Sequence, residues 1–268
     1  MLNRAVLDGI ELEYEIRGTG EPVILMHAGV LHEFFIPLFN EPALIGRYRL
    51  VRFHRAGYAG SSRVNGPVSI ADHAAHLRAL MNHLGIERAH IVGHSSSGNI
   101  ALQLALDSPQ VVHTLALLEP ALLVVPSHPL VPKSMEIYRA GNKSEAVDTF
   151  LQGTCGPDYR AVVEKALPGA IDQGVSNADT FFGQELPALR QWLFGQEEAH
   201  RITHPVLVVL GEKSGPIHRQ RQELLLSWLP NAKAFNLSDA GHLLHVQNPR
   251  GMAEGLAAFF ARHPLSVK

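Results

Sequence analysis

The sequence predicts an α/β protein with a mostly parallel sheet covered by helices. Short continuous apolar runs recur along the chain, and segments with helical apolar spacing lie between them. This alternation is typical of βαβ units, whose inner strands are apolar on both faces. A third observation is the junction at residues 89–107, where an apolar run passes into a helical pattern through small residues.

The elements are predicted in chain order from these patterns. Residues 11–17 alternate like a half-buried strand and end in a glycine turn. Further strands are predicted from apolar runs at 22–26, 50–53, 90–92, 111–118, 205–210 and 234–237. Helices are predicted to start near Ser69 or Asp72 and after the junction, and to cover residues 220–229 and 249–262.

Residues 120–204 differ from the rest of the chain. Three prolines lead into helical segments at 135–140, 146–151, 160–167 and 186–194. A stretch of this length is too long for a loop. We therefore predict a helical lid at 120–204, inserted into a core made of residues 1–119 and 205–268.

The composition excludes several classes of protein. A net charge of −2 over 268 residues gives no electrostatic footprint for nucleic acid or an anionic membrane. No window approaches the length of an apolar membrane span, and the first residues lack a secretory signal. Cys155 is the only cysteine, which excludes an internal disulfide and fits a reducing compartment. We expect a cytoplasmic protein in which Cys155 is a small core or loop residue.

No metal or organic cofactor is expected. His73 and His76 have helical spacing, but no third ligand accompanies them at the spacing of a zinc site. The histidines of the chain are otherwise scattered.

The junction at residues 89–107 places a serine at a tight turn. Ser95 follows the apolar run, and Gly93, Ser97 and Gly98 are small enough for a strand and a helix to pack closely there. The Ser95 hydroxyl would lie near the amino end of the helix, whose free N–H groups favour developing negative charge.

This junction resembles the nucleophile elbow of the α/β hydrolases, with Ser97 where that family most often has glycine. The stretch 27–29 after an early strand, the turn at 55–61 and the late Gly241-His242 pair carry the same resemblance. It covers nearly the whole chain except the lid. It implies a serine nucleophile, an acid and a histidine base, in that chain order.

The resemblance implies that Ser95 is the nucleophile and His242 the base, on the loop after the last strand. Ser96 and Ser97 would point elsewhere at a sharp turn, and His245 is expected at the start of the final helix. His94 is expected to shape the turn.

The acid departs from the common family pattern. Ser214 stands where the family usually carries aspartate, in the turn at 211–214. Glu119 ends the strand after the elbow helix, 24 residues past Ser95. Some haloalkane dehalogenases and the zearalenone lactonases place their acid at that strand end, and this resemblance favours Glu119. Glu212 and Asp239 stay open as alternatives.

The resemblance also implies an oxyanion hole made by the backbone N–H groups of Gly29 and Ser96, in which side-chain identity matters little. His27 and two lid residues, Phe181 and Trp192, are candidates for the substrate pocket. Apolar lid residues favour a substrate with an apolar acyl or alcohol portion.

The expected function is cleavage of a carboxylic ester or lactone through an acyl-enzyme, with a small molecule as partner and with neither nucleic acid nor membrane. A homo-oligomer stays open. A carbon–carbon bond hydrolase or a cofactor-free perhydrolase would use the same three residues. The alternative from another class is a non-catalytic ligand-binding protein, favoured only by Ser214. Haloalkane dehalogenase and epoxide hydrolase are disfavoured because both need aspartate at the position of Ser95.

Overall fold

The computed structural model describes residues 2–265 and contains one eight-stranded sheet with the order β1-β2-β4-β3-β5-β6-β7-β8. The strands are β1 Asn3–Leu7, β2 Ile10–Arg17, β3 Glu21–Met26, β4 Tyr48–Phe53, β5 Ala89–His94, β6 Val112–Leu118, β7 Val206–Gly211 and β8 Ala232–Leu237. The neighbouring pairs β4–β3, β3–β5, β5–β6, β6–β7 and β7–β8 are parallel, while β1–β2 and β2–β4 are antiparallel. The predicted mostly parallel sheet is confirmed.

Helices cover both faces of this sheet. They are α1 Ile36–Phe39, α2 Pro42–Ile45, α3 Ile70–His83, α4 Ser96–Asp107, α5 Leu130–Arg139, α6 Lys143–Cys155, α7 Tyr159–Ala166, α8 Ala170–Ser176, α9 Leu186–Gln191, α10 Gln196–His200, α11 Pro216–Trp228, α12 Leu244–Gln247 and α13 Pro249–Ala261, with a 3₁₀ turn at Pro109–Val111 and a π-helix at Asp179–Glu185. Ser69 caps α3 in a capping box with Asp72, which resolves the predicted start of that helix.

Alternate residues of the inner strands face two apolar cores. In β3, Ile24 and Met26 belong to one core, which also contains residues of α3, α4 and α11. Val23 and Leu25 belong to the other core, together with residues of α1, α2 and α13. Strand β1 was not predicted, since it is a five-residue edge strand with three exposed positions and little periodicity to detect.

The chain between β6 and β7 consists of helices α5 to α10 and the π-helix. Predicted helices in this region match α5, α6 and α7, but the predicted helix at 186–194 is wrong at its end, because α9 stops at Gln191. Within residues 2–265, none of the helices has the length and apolar character required to cross a membrane.

A buried ion pair ties the π-helix to the sheet. The Arg55 guanidinium donates to both carboxylate oxygens of Glu185, and the Tyr58 hydroxyl donates to Glu185 Oε2 at 2.7 Å. The Nε2 atom of His73 lies 3.4 Å from Glu185 Oε1. Burial alone would raise the pKa of Glu185, but Arg55 and His73 lower it to about 2.

Removal of the carboxylate should therefore destabilise the protein. We expect Glu185→Gln to lower the free energy of unfolding by about 3 kcal/mol or more, because it leaves Arg55 as an uncompensated buried charge. The matched control is Asp179→Asn in the same π-helix. Asp179 pairs with Lys143 at the surface, so we expect a loss of less than about 1 kcal/mol.

Urea unfolding measures both variants. The pKa of Glu185 lies below its ordinary value of 4.5 in the folded protein, so its contribution is present above pH 4.5 and is lost as the pH falls toward 2. Glu185→Gln should lack this acidic component. Equal losses of stability in the two variants would contradict a structural role for the buried pair.

Candidate active site

Ser95 lies at the sharp turn between β5 and α4. Its backbone has φ 51° and ψ −121°, a strained conformation for a residue with a side chain. The turn requires glycine at its flank, because a Cβ on Gly93 would approach Ser97 O to 2.3 Å. The predicted elbow geometry, with Ser95 at the apex, is what the structure contains.

Glu119 and His242 meet at the carboxyl ends of the strands. Glu119 directly follows β6 and has φ 46°, and His242 lies on the loop after β8. His242 Nδ1 is 2.7 Å from Glu119 Oε2, and both residues are buried. The carboxylate selects the tautomer with a proton on Nδ1, so Nε2 carries the free lone pair.

The two alternative acids lie elsewhere. Glu212 is exposed, and its backbone N–H donates to Leu237 O. Asp239 pairs with Lys213 at the surface, with 2.9 Å between Nζ and Oδ1. Glu119 is thus the predicted acid that contacts the imidazole of His242.

Ser214, which stands where an aspartate is usual, contacts Glu119 directly. Its hydroxyl donates to Glu119 Oε1, and the backbone N–H of Gly211 donates to the same oxygen at 2.8 Å. These bonds occupy Oε1 and leave Oε2 for His242. The sequence analysis missed this contact, although the simultaneous departures at 119 and 214 were a signal for it.

Electrostatics favour the uncharged imidazole in the resting site. Burial, and then the positive charge of Arg221, lower the pKa of His242 below its ordinary value. Burial raises the pKa of Glu119, while His218, the Ser214 hydroxyl and the Gly211 N–H act in the opposite direction. A neutral imidazole with a free Nε2 is ready to accept a proton.

His218 is a neighbour that the sequence did not predict. Its ring stacks on that of His242, with 4.4 Å between ring centroids, and its Nδ1 lies 3.2 Å from Glu119 Oε2. Burial is the main cause that lowers the pKa of His218, to about 3. Both imidazoles beside Glu119 are therefore uncharged at neutral pH.

Two clusters in residues 2–265 have a donor set that a metal ion could use. Glu119, His218 and His242 form one, in which His242 Nδ1 already donates to Glu119 Oε2. The second consists of His32, Glu33 and His54. The Arg52 guanidinium donates to Glu33 at 2.6 Å, and its positive charge competes with a cation for that carboxylate.

The predicted oxyanion donors lie beside the nucleophile, but one of them is engaged. The Gly29 N–H donates to Ser96 Oγ at 3.1 Å. The Ser96 hydroxyl therefore accepts from the Gly29 N–H in the structure, a side-chain contact that the expectation of backbone roles alone did not include. Ser96 also begins α4, whose first N–H groups lack a side-chain cap.

A cavity of about 560 Å³ joins these groups. Ser95, His242, Gly29, Ser96 and Phe181 all line it. No hydrogen bond joins the Ser95 hydroxyl to His242 within residues 2–265, although both residues line this cavity. Nucleophile–base contacts of this kind commonly tighten when substrate is bound.

Two pocket candidates lie outside the cavity lining. His27 is buried, accepts the Arg55 N–H on Nε2 at 3.0 Å and donates from Nδ1 to Ala28 O at 2.7 Å. Trp192 stacks on Phe194 and donates to Gln103 at 2.7 Å. His27 therefore braces the loop that contains Gly29, and the contacts of Trp192 are with Phe194 and Gln103. The structure places neither of these two pocket candidates in the cavity lining.

The remaining candidates have structural positions. His94 Nε2 donates to the backbone oxygen of His242 at 2.9 Å, which holds the base loop against the elbow. His245 lies in α12, not at the start of the final helix, and stacks on Phe35 at 4.2 Å. Cys155 lines the cavity, and burial raises the pKa of its thiol to about 12, so the thiol stays protonated.

Comparison with known protein families identifies the family of this chain. A family model described as the alpha/beta hydrolase fold matches residues 21–159. The chain belongs to the α/β-hydrolase family.

One relative matches most of this chain at low sequence identity. The chain is 28% identical over 251 residues to the dihydrolipoyllysine-residue acetyltransferase component of an acetoin cleaving system from Cupriavidus necator, covering 91% of this chain and 64% of that protein. The chain thus spans less than two thirds of the length of that relative.

Two solved structures share the fold. An esterase from Thermogutta terrifontis aligns with a TM-score of 0.84 at 20% identity, covering 98% of this chain and 100% of the other. An enol-lactonase from Burkholderia xenovorans aligns with a TM-score of 0.78 at 21% identity, covering 97% of this chain and 100% of the other.

Proposed function

We propose that this α/β hydrolase cleaves a carboxylic ester or lactone through an acyl-enzyme, with Ser95, His242 and Glu119 as its catalytic triad. The observation that carries the proposal is the buried bond of 2.7 Å between Glu119 and His242, beside Ser95 on one cavity. A serine hydroxyl is a poor nucleophile without such a base. The solved esterase and enol-lactonase agree with this substrate class.

The proposed reaction has two halves. Ser95 Oγ attacks the carbonyl carbon while His242 Nε2 takes its proton, and the C–O bond to the alcohol breaks as the same proton passes to that oxygen. A water molecule, deprotonated by His242, then attacks the acyl carbon. The bond between that carbon and Ser95 Oγ breaks, the carboxylic acid leaves, and the proton on His242 passes to Oγ. Glu119 remains ionised and stabilises the imidazolium that forms in each half.

Backbone donors complete the proposed site. The tetrahedral intermediate carries an oxyanion, and the N–H groups of Gly29 and Ser96 are the proposed donors to it. Since the Gly29 N–H contacts Ser96 Oγ in the resting site, that hydroxyl must rotate or share the donor when the oxyanion forms.

We propose residues 120–204 as the cap of the enzyme and the remainder as its core. Phe150, Phe181 and Leu189 of this segment line the cavity, which supports a cap that covers an apolar part of a small-molecule substrate. The proposed location is the cytoplasm, on the basis of the single cysteine.

Hydrolysis of p-nitrophenyl esters from acetate to decanoate tests the function. We expect turnover by the wild type and none above background by Ser95→Ala, because no acyl-enzyme can form. Turnover that survives in Ser95→Ala would refute the assignment of Ser95 as the nucleophile. A folded wild type without activity on any of these esters would favour lactones, carbon–carbon bonds or a binding protein.

Two matched substitutions test the acid. Glu119→Gln should lower kcat by roughly 10³- to 10⁴-fold, as loss of the triad acid does elsewhere, because the amide cannot stabilise the imidazolium. Glu212→Gln is the control and should have almost no effect, since Glu212 is exposed. A severe loss in Glu212→Gln with a mild one in Glu119→Gln would reverse the assignment.

The pH dependence of kcat/KM reports the base. The pKa of His242 is held below its ordinary value of 6.5, so the imidazole stays unprotonated at mildly acidic pH. We expect the acidic limb of kcat/KM for a neutral ester to have its midpoint below pH 6.5. A midpoint at or above 6.5 would contradict a base whose pKa is lowered by burial.

A further inference from the structure

We propose that Arg221 is an anion-binding residue of the substrate cavity, and that the preferred substrates are esters or lactones that carry a carboxylate. This inference rests on the proposed function for the reaction, but the binding of the anion can be measured separately. Arg221 lies on α11, is 7% exposed and lines the same cavity as Ser95 and His242.

The buried arginines differ in their partners. Three arginines are buried among residues 2–265, namely Arg52, Arg55 and Arg221. Arg52 pairs with two carboxylates, at 2.9 Å and 2.6 Å, and Arg55 pairs with Glu185. Arg221 forms no such ion pair in the described chain.

The guanidinium of Arg221 also has N–H groups without an acceptor among residues 2–265. Its Nε–H donates to Leu122 O at 3.1 Å, which fixes the side chain, and its terminal nitrogens make no hydrogen bond to residues 2–265. The carboxylate of Glu119 is nearby but is engaged by Ser214, Gly211 and His242. Buried charges in proteins are normally paired, so the missing partner of Arg221 is best supplied by a ligand.

The cavity lining has the charge that this role requires. No aspartate or glutamate among the described residues lines the cavity, whereas Lys213 and Arg221 do. The rest of the lining is largely apolar, including Phe34, Val131 and Phe150. A carboxylate would gain a planar, two-pronged donor in a surrounding of low polarity, where charge-assisted bonds are strong. A cationic substrate would be repelled.

Arg221 is charged under ordinary conditions. Burial lowers its pKa and Glu119 raises it, and the result is about 10, so the guanidinium is protonated at neutral pH. A positive charge that is retained in spite of burial is consistent with a site that receives an anion.

Matched pairs of esters test the proposal. Mono-p-nitrophenyl esters of adipic, pimelic and suberic acid are compared with their methyl p-nitrophenyl diesters, which share the leaving group and the chain but lack the charge. We expect the wild type to prefer the acid of at least one pair by about 10-fold or more in kcat/KM. Arg221→Met should lower this preference by about 10- to 100-fold, and Arg221→Lys should retain part of it.

The ratio of kcat/KM for the acid to kcat/KM for the diester of the same pair measures the effect of the carboxylate charge alone. Both members of a pair use the same triad, so any effect of Arg221 on the pKa of His242 cancels. The control is Arg219→Met, because Arg219 is an exposed arginine of the same helix that donates to the backbone oxygen of Glu212 and is not among the residues that line the cavity. It should leave the ratio within about twofold of the wild-type value.

The possible results separate the two proposals. The role of Arg221 would be overturned by a wild type without preference for the acid, by a preference that survives in Arg221→Met, or by a preference that is lost in Arg219→Met instead. Calorimetric binding of monomethyl adipate to the wild type and to Arg221→Met gives a readout that needs no turnover. Binding that depends on Arg221 without hydrolysis of any ester would support the anion site and refute the proposed reaction, while absence of binding and preference would refute the anion site.

Discussion

The buried carboxylate of Glu119 connects the ends of three neighbouring strands. Glu119 itself follows β6, its Oε1 accepts the N–H of Gly211 at the end of β7, and its Oε2 contacts His242 after β8. A carboxylate is expensive to bury without donors, so the position of each strand end depends on the others. The parallel sheet makes this possible, because its carboxyl ends share one edge.

The departures from the usual family pattern at positions 119 and 214 form one physical arrangement. A carboxylate at either strand end can approach the same imidazole nitrogen, but two carboxylates in contact could not both ionise easily. With glutamate at 119, the side chain at 214 has to be a hydrogen-bond donor, and the serine hydroxyl meets that need. Ser214, which stands where the family usually carries aspartate, is thus a hydrogen-bond donor to Glu119.

Short-range sequence patterns predicted the strands and helices of residues 1–119 and 205–268 better than those of residues 120–204. Apolar runs located the inner strands, and the chain order of Ser95, Glu119 and His242 followed from the ends of those strands. Trp192 could not be placed in this way, because the point at which α9 ends depends on packing between helices. The stacking of His218 on His242 also depends on how α11 lies on the sheet, for which one sequence contains no periodic signal.

The ion pair between Arg55 and Glu185 influences the shape of the site from outside it. Phe181 lies in the same π-helix as Glu185, and its ring fills the space over Gly29, where an added Cβ would approach it to 2.3 Å. The ion pair therefore fixes one wall of the cavity against the loop that contains Gly29. Arg221 differs from Arg55 in that no carboxylate of the described chain neutralises it. Arg55 holds the cavity in shape, and Arg221 leaves a positive charge inside it for an anionic ligand.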